Sequence, residues 1–162
     1  MATEVQKKAA EKVFNTVVKH LDNMELVYEQ LEAPGDDYML RLEIKGEDLP
    51  IVIFIVVDAD RGIIMVKSPE FATFPPDKLD IAAKAVCAIN YVIADGSYAL
   101  SLEDGSIMWT ITSCFRGSLV GEETIAYLMG TSLFTLDHYN DRLLMLKMGA
   151  LDLDTFVGML CE

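Results

Sequence analysis

Apolar residues recur with two different periods along this chain, and the switches between them mark out its elements. From residue 4 to 22, Ala9, Val13, Phe14, Val17, Val18 and Leu21 share one helical arc, while Lys8, Lys12 and Lys19 stack on the opposite side. That spacing predicts an amphipathic helix with His20 at the edge of its apolar face. The period then falls to two. Leu26–Glu32 is a short strand candidate, and Tyr38–Lys45 sets Tyr38, Leu40, Leu42 and Ile44 against Met39, Arg41, Glu43 and Lys45. Ile51–Val57 is apolar on both faces, and Ile63–Ser68 follows a turn over Asp58–Gly62. Phe74-Pro75-Pro76-Asp77 stops the sheet and opens a second helix, because proline is tolerated in a first helical turn. Asp95-Gly96 ends that helix at about Ala94. A hairpin of Ser97–Leu102 and Ile107–Phe115 follows, and Asp104-Gly105 at its tip predicts a type I′ turn. Trp109 on the second hairpin strand is expected to face the core. The stripe Ile125, Leu128, Met129, Leu133, Leu136, Leu143 and Leu146 predicts a last long helix, Glu122–Met148, closed by Gly149. Leu153–Leu160 reads as a short terminal helix. With no linker or repeat in view, residues 1–162 read as one α+β domain, an antiparallel sheet with helices packed mainly on one face.

Two segments carry more apolar surface than such a domain needs. Ile81–Ala94 reads IAAKAVCAINYVIA, in which only Lys84 and Asn90 are strongly polar. A helix apolar nearly all round must be covered nearly all round. A homodimer seam through Ala82, Ala85, Ala88 and Tyr91 is therefore expected. The second segment is Ile51–Val57. If Gly46–Leu49 makes a hairpin, Leu40, Leu42 and Ile44 stand opposite Ile55, Ile53 and Ile51 on the core face. The other face then collects Met39, Val52, Phe54 and Val56, joined past the next turn by Ile64 and Val66. An apolar strip on the outward face of an antiparallel sheet marks an interaction surface.

Charge narrows the partner class. The formal net charge is −13, and residues 21–60 carry eleven acids against Arg41 and Lys45. Such a field repels nucleic acid and anionic membranes and would steer a basic partner. No apolar run approaches the length of a membrane span, and MATEVQKKAAEK has no secretory h-region, so a cytoplasmic location is expected. Cys87, Cys114 and Cys161 lack CxxC spacing and read as reduced thiols serving as small core residues. Catalytic chemistry is not apparent. There is no GxSxG. Asp137, His138 and Asp141 are too few and too ordinary for a zinc site, and GSLVG at 117–121 lacks the Lys-Ser/Thr of a P-loop. No enzyme activity, metal or cofactor is expected.

The stretch AVCAINYVIADGSYALSLEDGSIMWTITSCF, with Ile89-Asn90 before a strand, an acid-Gly turn and a second strand, is similar to the YbjN family of sensory transduction regulators. The tail TLDHYNDRLLMLKMG, with Asp137, Tyr139, Leu143 and Gly149 in order, resembles that family's closing helix. The overall order also resembles the class I type III secretion chaperones, which share the fold. The resemblance spans about residues 3–149 and implies an α+β fold acting by protein contact, with no catalytic residue to carry over. Both lines point to a non-catalytic protein, chaperone-like or regulatory, that binds an extended segment of another polypeptide. The alternative is a small-molecule sensor with a pocket between sheet and helices lined by Tyr28, Tyr98 and Trp109.

Overall fold

The structure, a computed structural model, describes residues 2–161, apart from the side chains of Glu70, Phe71 and Cys161. The chain runs α1 (Glu4–Asn23), β1 (Tyr28–Leu31), β2 (Tyr38–Lys45), β3 (Pro50–Asp58), β4 (Ile63–Thr73), α2 (Leu79–Val92), β5 (Ser97–Leu100), β6 (Ser106–Cys114), α3 (Glu122–Met148) and α4 (Leu153–Gly158). The six strands form one antiparallel sheet in the order β1-β2-β3-β4-β6-β5. The architecture is the α+β one expected.

Local chemistry sets the helix ends. Thr3 and Gln6 form a reciprocal capping box at the start of α1. Gly149 ends α3 in the left-handed region at φ 78°, and its amide and that of Ala150 bond back to Leu146 and Met145. The Lys78 ammonium donates to the Lys147 carbonyl at 2.6 Å, placing a cation at the negative end of α3. Glu122 and Glu123 occupy the first turn of α3 after Gly121, so the end of GSLVG faces carboxylates and repels an anion.

One sheet face packs against the helices. Leu40, Leu42, Ile51, Ile53, Ile55 and Val57 point into this core from β2 and β3, and Ile107, Trp109 and Ile111 from β6. They meet Val13, Val17 and Leu21 of α1 and Leu128, Leu136 and Leu143 of α3 in one buried cluster. The polar ends of Tyr98 and Trp109 inside it are paired. The Tyr98 hydroxyl donates to Asn140 Oδ1 at 2.9 Å, and Trp109 Nε1–H donates to Ser132 Oγ at 3.0 Å. Burial, with Tyr139 and Asp141 nearby, pushes the Tyr98 phenol up, so it stays a neutral donor.

The β2–β3 register is the expected one, with Leu40↔Ile55, Leu42↔Ile53, Ile44↔Ile51 and Met39↔Val56. The β3–β4 register is not. Asp58 is itself a strand residue paired with Ile63, and Gly62 donates to the Asp58 carbonyl at 2.9 Å. The turn is therefore one residue shorter than Asp58–Gly62. A slip of one exchanges the two faces of a strand. Ile64 and Val66 consequently lie opposite Val57 and Ile55 in the core, fully buried, and are not outward residues.

Three further expectations are corrected. Ala82, Ala85, Val86 and Ile89 form the buried face of α2, so Ala82 and Ala85 are sealed within their own chain rather than in a seam between copies. Ala88 is half-buried and Tyr91 is exposed. The tail after Gly149 supplies part of the cover, because α4 and the 3₁₀ turn beyond it pack on α2 and bury Phe156. Cys87 and Cys114 are exposed free thiols, not core residues, and the Cys161 side chain lies outside the described residues. At the hairpin tip, Gly105 alone has positive φ, so no type I′ turn forms. Instead Asp104 Oδ1 accepts from the Ser106 amide and hydroxyl at 3.0 and 2.8 Å. Hydrogen bonds from Ser101 and Ser106 hold the Asp104 carboxyl down to about 2.

Candidate binding face

With every helix on one side, the opposite face of the sheet is left without a helical layer, and strand alternation decides what it displays. From β2 it receives Met39, Arg41, Glu43 and Lys45, and from β3 Val52, Phe54 and Val56. From β4 come Met65 and Lys67, paired with Val56 and Phe54, and from β6 Met108, Thr110 and Thr112. Of the expected binding residues, Met39, Val52, Phe54 and Val56 share this face and Ile64 and Val66 do not. Val56 is only 6% exposed yet stands apart from the main core, because its cross-strand neighbours Met39 and Met65 cover it.

The register of β4 against β6 shifts between Ser68 and Ala72, where three residues of β4 face one of β6. A bulge of this kind bends a strand and raises its local twist. Beside it lies an open groove of about 520 Å³ lined by Met39, Phe54, Lys67, Ser68, Pro69 and Met108. Its walls are two thioethers, a phenyl ring and a proline ring. Methionine is flexible and polarisable, which suits a surface that must mould itself to a guest. Arg41, Phe54 and Lys67 are consecutive cross-strand neighbours, so a guanidinium and an ammonium flank the ring. Arg41 donates to Glu43 at 3.0 Å. Among the described residues, no carboxylate lies within ion-pair distance of Lys67.

Sequence reasoning missed Met65, Lys67, Pro69 and Met108. Met108 was legible in the alternation Ile107, Met108, Trp109, Thr110, Ile111, whose odd members all point inward. Met65 and Lys67 needed the correct turn length. The bulge has no local signal beyond Pro69, a residue confined to edges and irregularities of sheets.

The residues of the sensor alternative do not converge. Tyr28 lies on β1 and donates to Asp22, while Tyr98 lies on β5 at the far edge, about 24 Å away at the usual strand spacing. Tyr98 and Trp109 are in edge-to-face contact, ring centroids 5.3 Å apart, and both are buried among core side chains. Asp137, His138 and Asp141 do not form a metal site either. Asp137 Oδ1 accepts from the Glu47 amide at 2.8 Å, pinning the β2–β3 turn to α3, and His138 stacks on Phe134. Among the described residues, no three His, Cys, Asp or Glu side chains are grouped to hold a metal ion. Nor, among them, is any helix long and apolar enough to cross a membrane.

The crystal structure of YbjN from E. coli, described as a presumed transcription regulator, matches this arrangement with a TM-score of 0.53. The match covers 80% of this chain and 92% of that one, at 16% sequence identity. The fold is YbjN-like. At this identity the likeness speaks for fold alone. No protein-family model and no curated protein matches the chain in sequence. Within the YbjN-like frame, the Ile89-Asn90 pair has a structural task. Ile89 is buried, and Asn90 exchanges two hydrogen bonds of 2.9 Å with the Tyr98 backbone.

Proposed function

We infer that this chain is a non-catalytic polypeptide-binding protein, chaperone-like or regulatory, that holds an extended partner segment on its outer sheet face. The observation that carries this reading is the Met39–Phe54–Met108 groove on a sheet face without a helical layer. Contiguous apolar surface in that position is costly to leave in water and is the usual mark of an interaction site. Each well-buried guest side chain contributes about 1.5–3 kcal/mol, less the cost of ordering the guest. Three or four anchors thus suffice for micromolar, reversible binding. The YbjN-like fold, found in a protein described as a presumed transcription regulator, agrees with a regulatory role. The same reading includes a homodimer, formed through the exposed face of α2 rather than through Ala82 and Ala85.

Phe54→Asp tests it. The side chain is half-buried on the outer face, so the variant should unfold cooperatively within a few degrees of the parent while its capture of partner polypeptides falls at least about tenfold, the loss of one anchor. A folded variant that retrieves the same polypeptides as the parent would falsify this assignment of the face.

A further inference from the structure

The acids of residues 21–60 suggest a basic partner, but the groove at Phe54 carries the opposite sign. Four of those acids lie in turns or at the sheet margin and are engaged there. Asp22 accepts from Tyr28, Asp36 pairs with Lys7, Asp37 accepts from the Ala59 amide and Asp58 from the Arg61 amide. On the outward side of β1, β2, β3, β4 and β6, Arg41, Lys45 and Lys67 balance Glu29, Glu43 and Asp58, in a chain whose net charge is −13. The groove is lined by one charged side chain, Lys67, half-buried among Phe54, Met108 and Pro69. A lysine with no carboxylate in reach among the described residues, set in apolar walls, is electrostatically incomplete. A guest carboxylate placed there gains a charge-assisted hydrogen bond in a setting drier than bulk water.

Building on the binding face inferred above, we propose that its partner segment is apolar and acidic, with a Glu or Asp seated on Lys67, near Arg41, between side chains that fill the Met39–Phe54–Met108 groove. The cation sets selectivity and the apolar walls set affinity. A lysine at the guest's central position is excluded, because it would bury one ammonium beside another.

Selection of a random peptide library displayed on phage tests this, with Phe54→Asp as the counter-selection. Peptides that depend on Phe54 should be enriched in Asp or Glu between apolar residues. Individual binders should lose about tenfold in affinity on Lys67→Met, which keeps the side chain's length without its charge. Lys67→Glu should turn the enrichment toward Lys and Arg. If Phe54-dependent peptides emerge but are neutral or basic, or if Lys67→Met leaves their affinity unchanged, the acidic-partner assignment is wrong while the binding face stands. If no Phe54-dependent peptide emerges, both fall. Concentration-dependent self-association abolished by Phe54→Asp would make a second copy the occupant and overturn the proposal as well.

Discussion

Asn90 shows how one side chain can close a sheet. β5 is an edge strand, paired on one side with β6, and edge strands invite pairing with another chain. At Tyr98 the outer edge is occupied. Asn90 Nδ2 donates to the Tyr98 carbonyl and Asn90 Oδ1 accepts from the Tyr98 amide, so the side-chain amide stands in for a neighbouring strand. Asn90→Leu leaves both backbone groups without these partners, at about 1–3 kcal/mol for each unsatisfied group. For a domain of this size, at roughly 2–4 °C per kcal/mol, we expect the melting temperature to fall by roughly 4–24 °C. Asn90→Asp should fall in between, since a carboxylate accepts from the amide but cannot donate to the carbonyl. Calorimetry on the two variants decides the matter. An Asn90→Leu protein melting with the parent would mean that water serves the edge equally well. Gly105 answers a steric demand at the same scale. A Cβ there would lie 2.0 Å from the Phe74 carbonyl oxygen, and Phe74 N–H donates to the Gly105 carbonyl at 2.8 Å. That contact ties the hairpin tip to the segment entering α2.

At the scale of elements, α2 separates what sequence can decide from what it cannot. Its composition showed that it must be well covered, but the choice of buried face depends on neighbours distant in sequence. Ala82, Ala85, Val86 and Ile89 face inward, while Ala83, Cys87 and Tyr91 face out. Ala85→Glu should therefore fail to give folded protein, since it buries a carboxylate with no partner in a packed core. Ala83→Glu, one face round, should still fold and leave the stability of the single chain within about 0.5 kcal/mol of the parent, measured at concentrations where the chain is monomeric. Denaturant titration of both separates the two faces. A folded Ala85→Glu protein would return that residue to the surface. Elements governed by local period were legible from end to end: β2 spans Tyr38–Lys45 and α3 spans Glu122–Met148, as the alternation and the stripe indicate. Parity across the β3–β4 turn was not, because it depends on whether Asp58 belongs to strand or loop. That single residue moved Ile64 and Val66 into the core and brought Met65 and Lys67 onto the binding face. Met39, Val52, Phe54, Val56 and Met108 were thus legible in alternation within strands, while Met65 and Lys67 depended on a turn closure and Pro69 on a bulge.

At the scale of the whole molecule, two apolar hollows lie among the described residues on opposite sides of the sheet's layers. The first is the groove at Phe54. The second lies where α2 meets β5, a shallow depression of about 570 Å³ lined by Ala83, Val86, Cys87, Asn90, Leu100 and Leu102. At its margin stands Tyr91, 88% exposed, with Leu102 at 72%. A projecting ring beside a hollow of its own kind is what a two-fold interface requires, since each copy offers the knob that the other's hollow receives. Like charge opposes the pairing of two chains of net charge −13, and salt screens that repulsion without weakening apolar contact. We therefore expect light scattering at micromolar concentration to give twice the 18.0 kDa of one chain, with dimer favoured further as salt is raised. Tyr91→Asp should return the mass to that of the monomer without loss of fold, because the side chain is exposed in the single chain and carries no core contact there. Phe54→Asp should leave the dimer intact, since it lies on the other side of the sheet. A mass of 18.0 kDa at every concentration and salt would remove the dimer from the reading, and Tyr91 and Leu102 would then stand as scattered surface apolar residues.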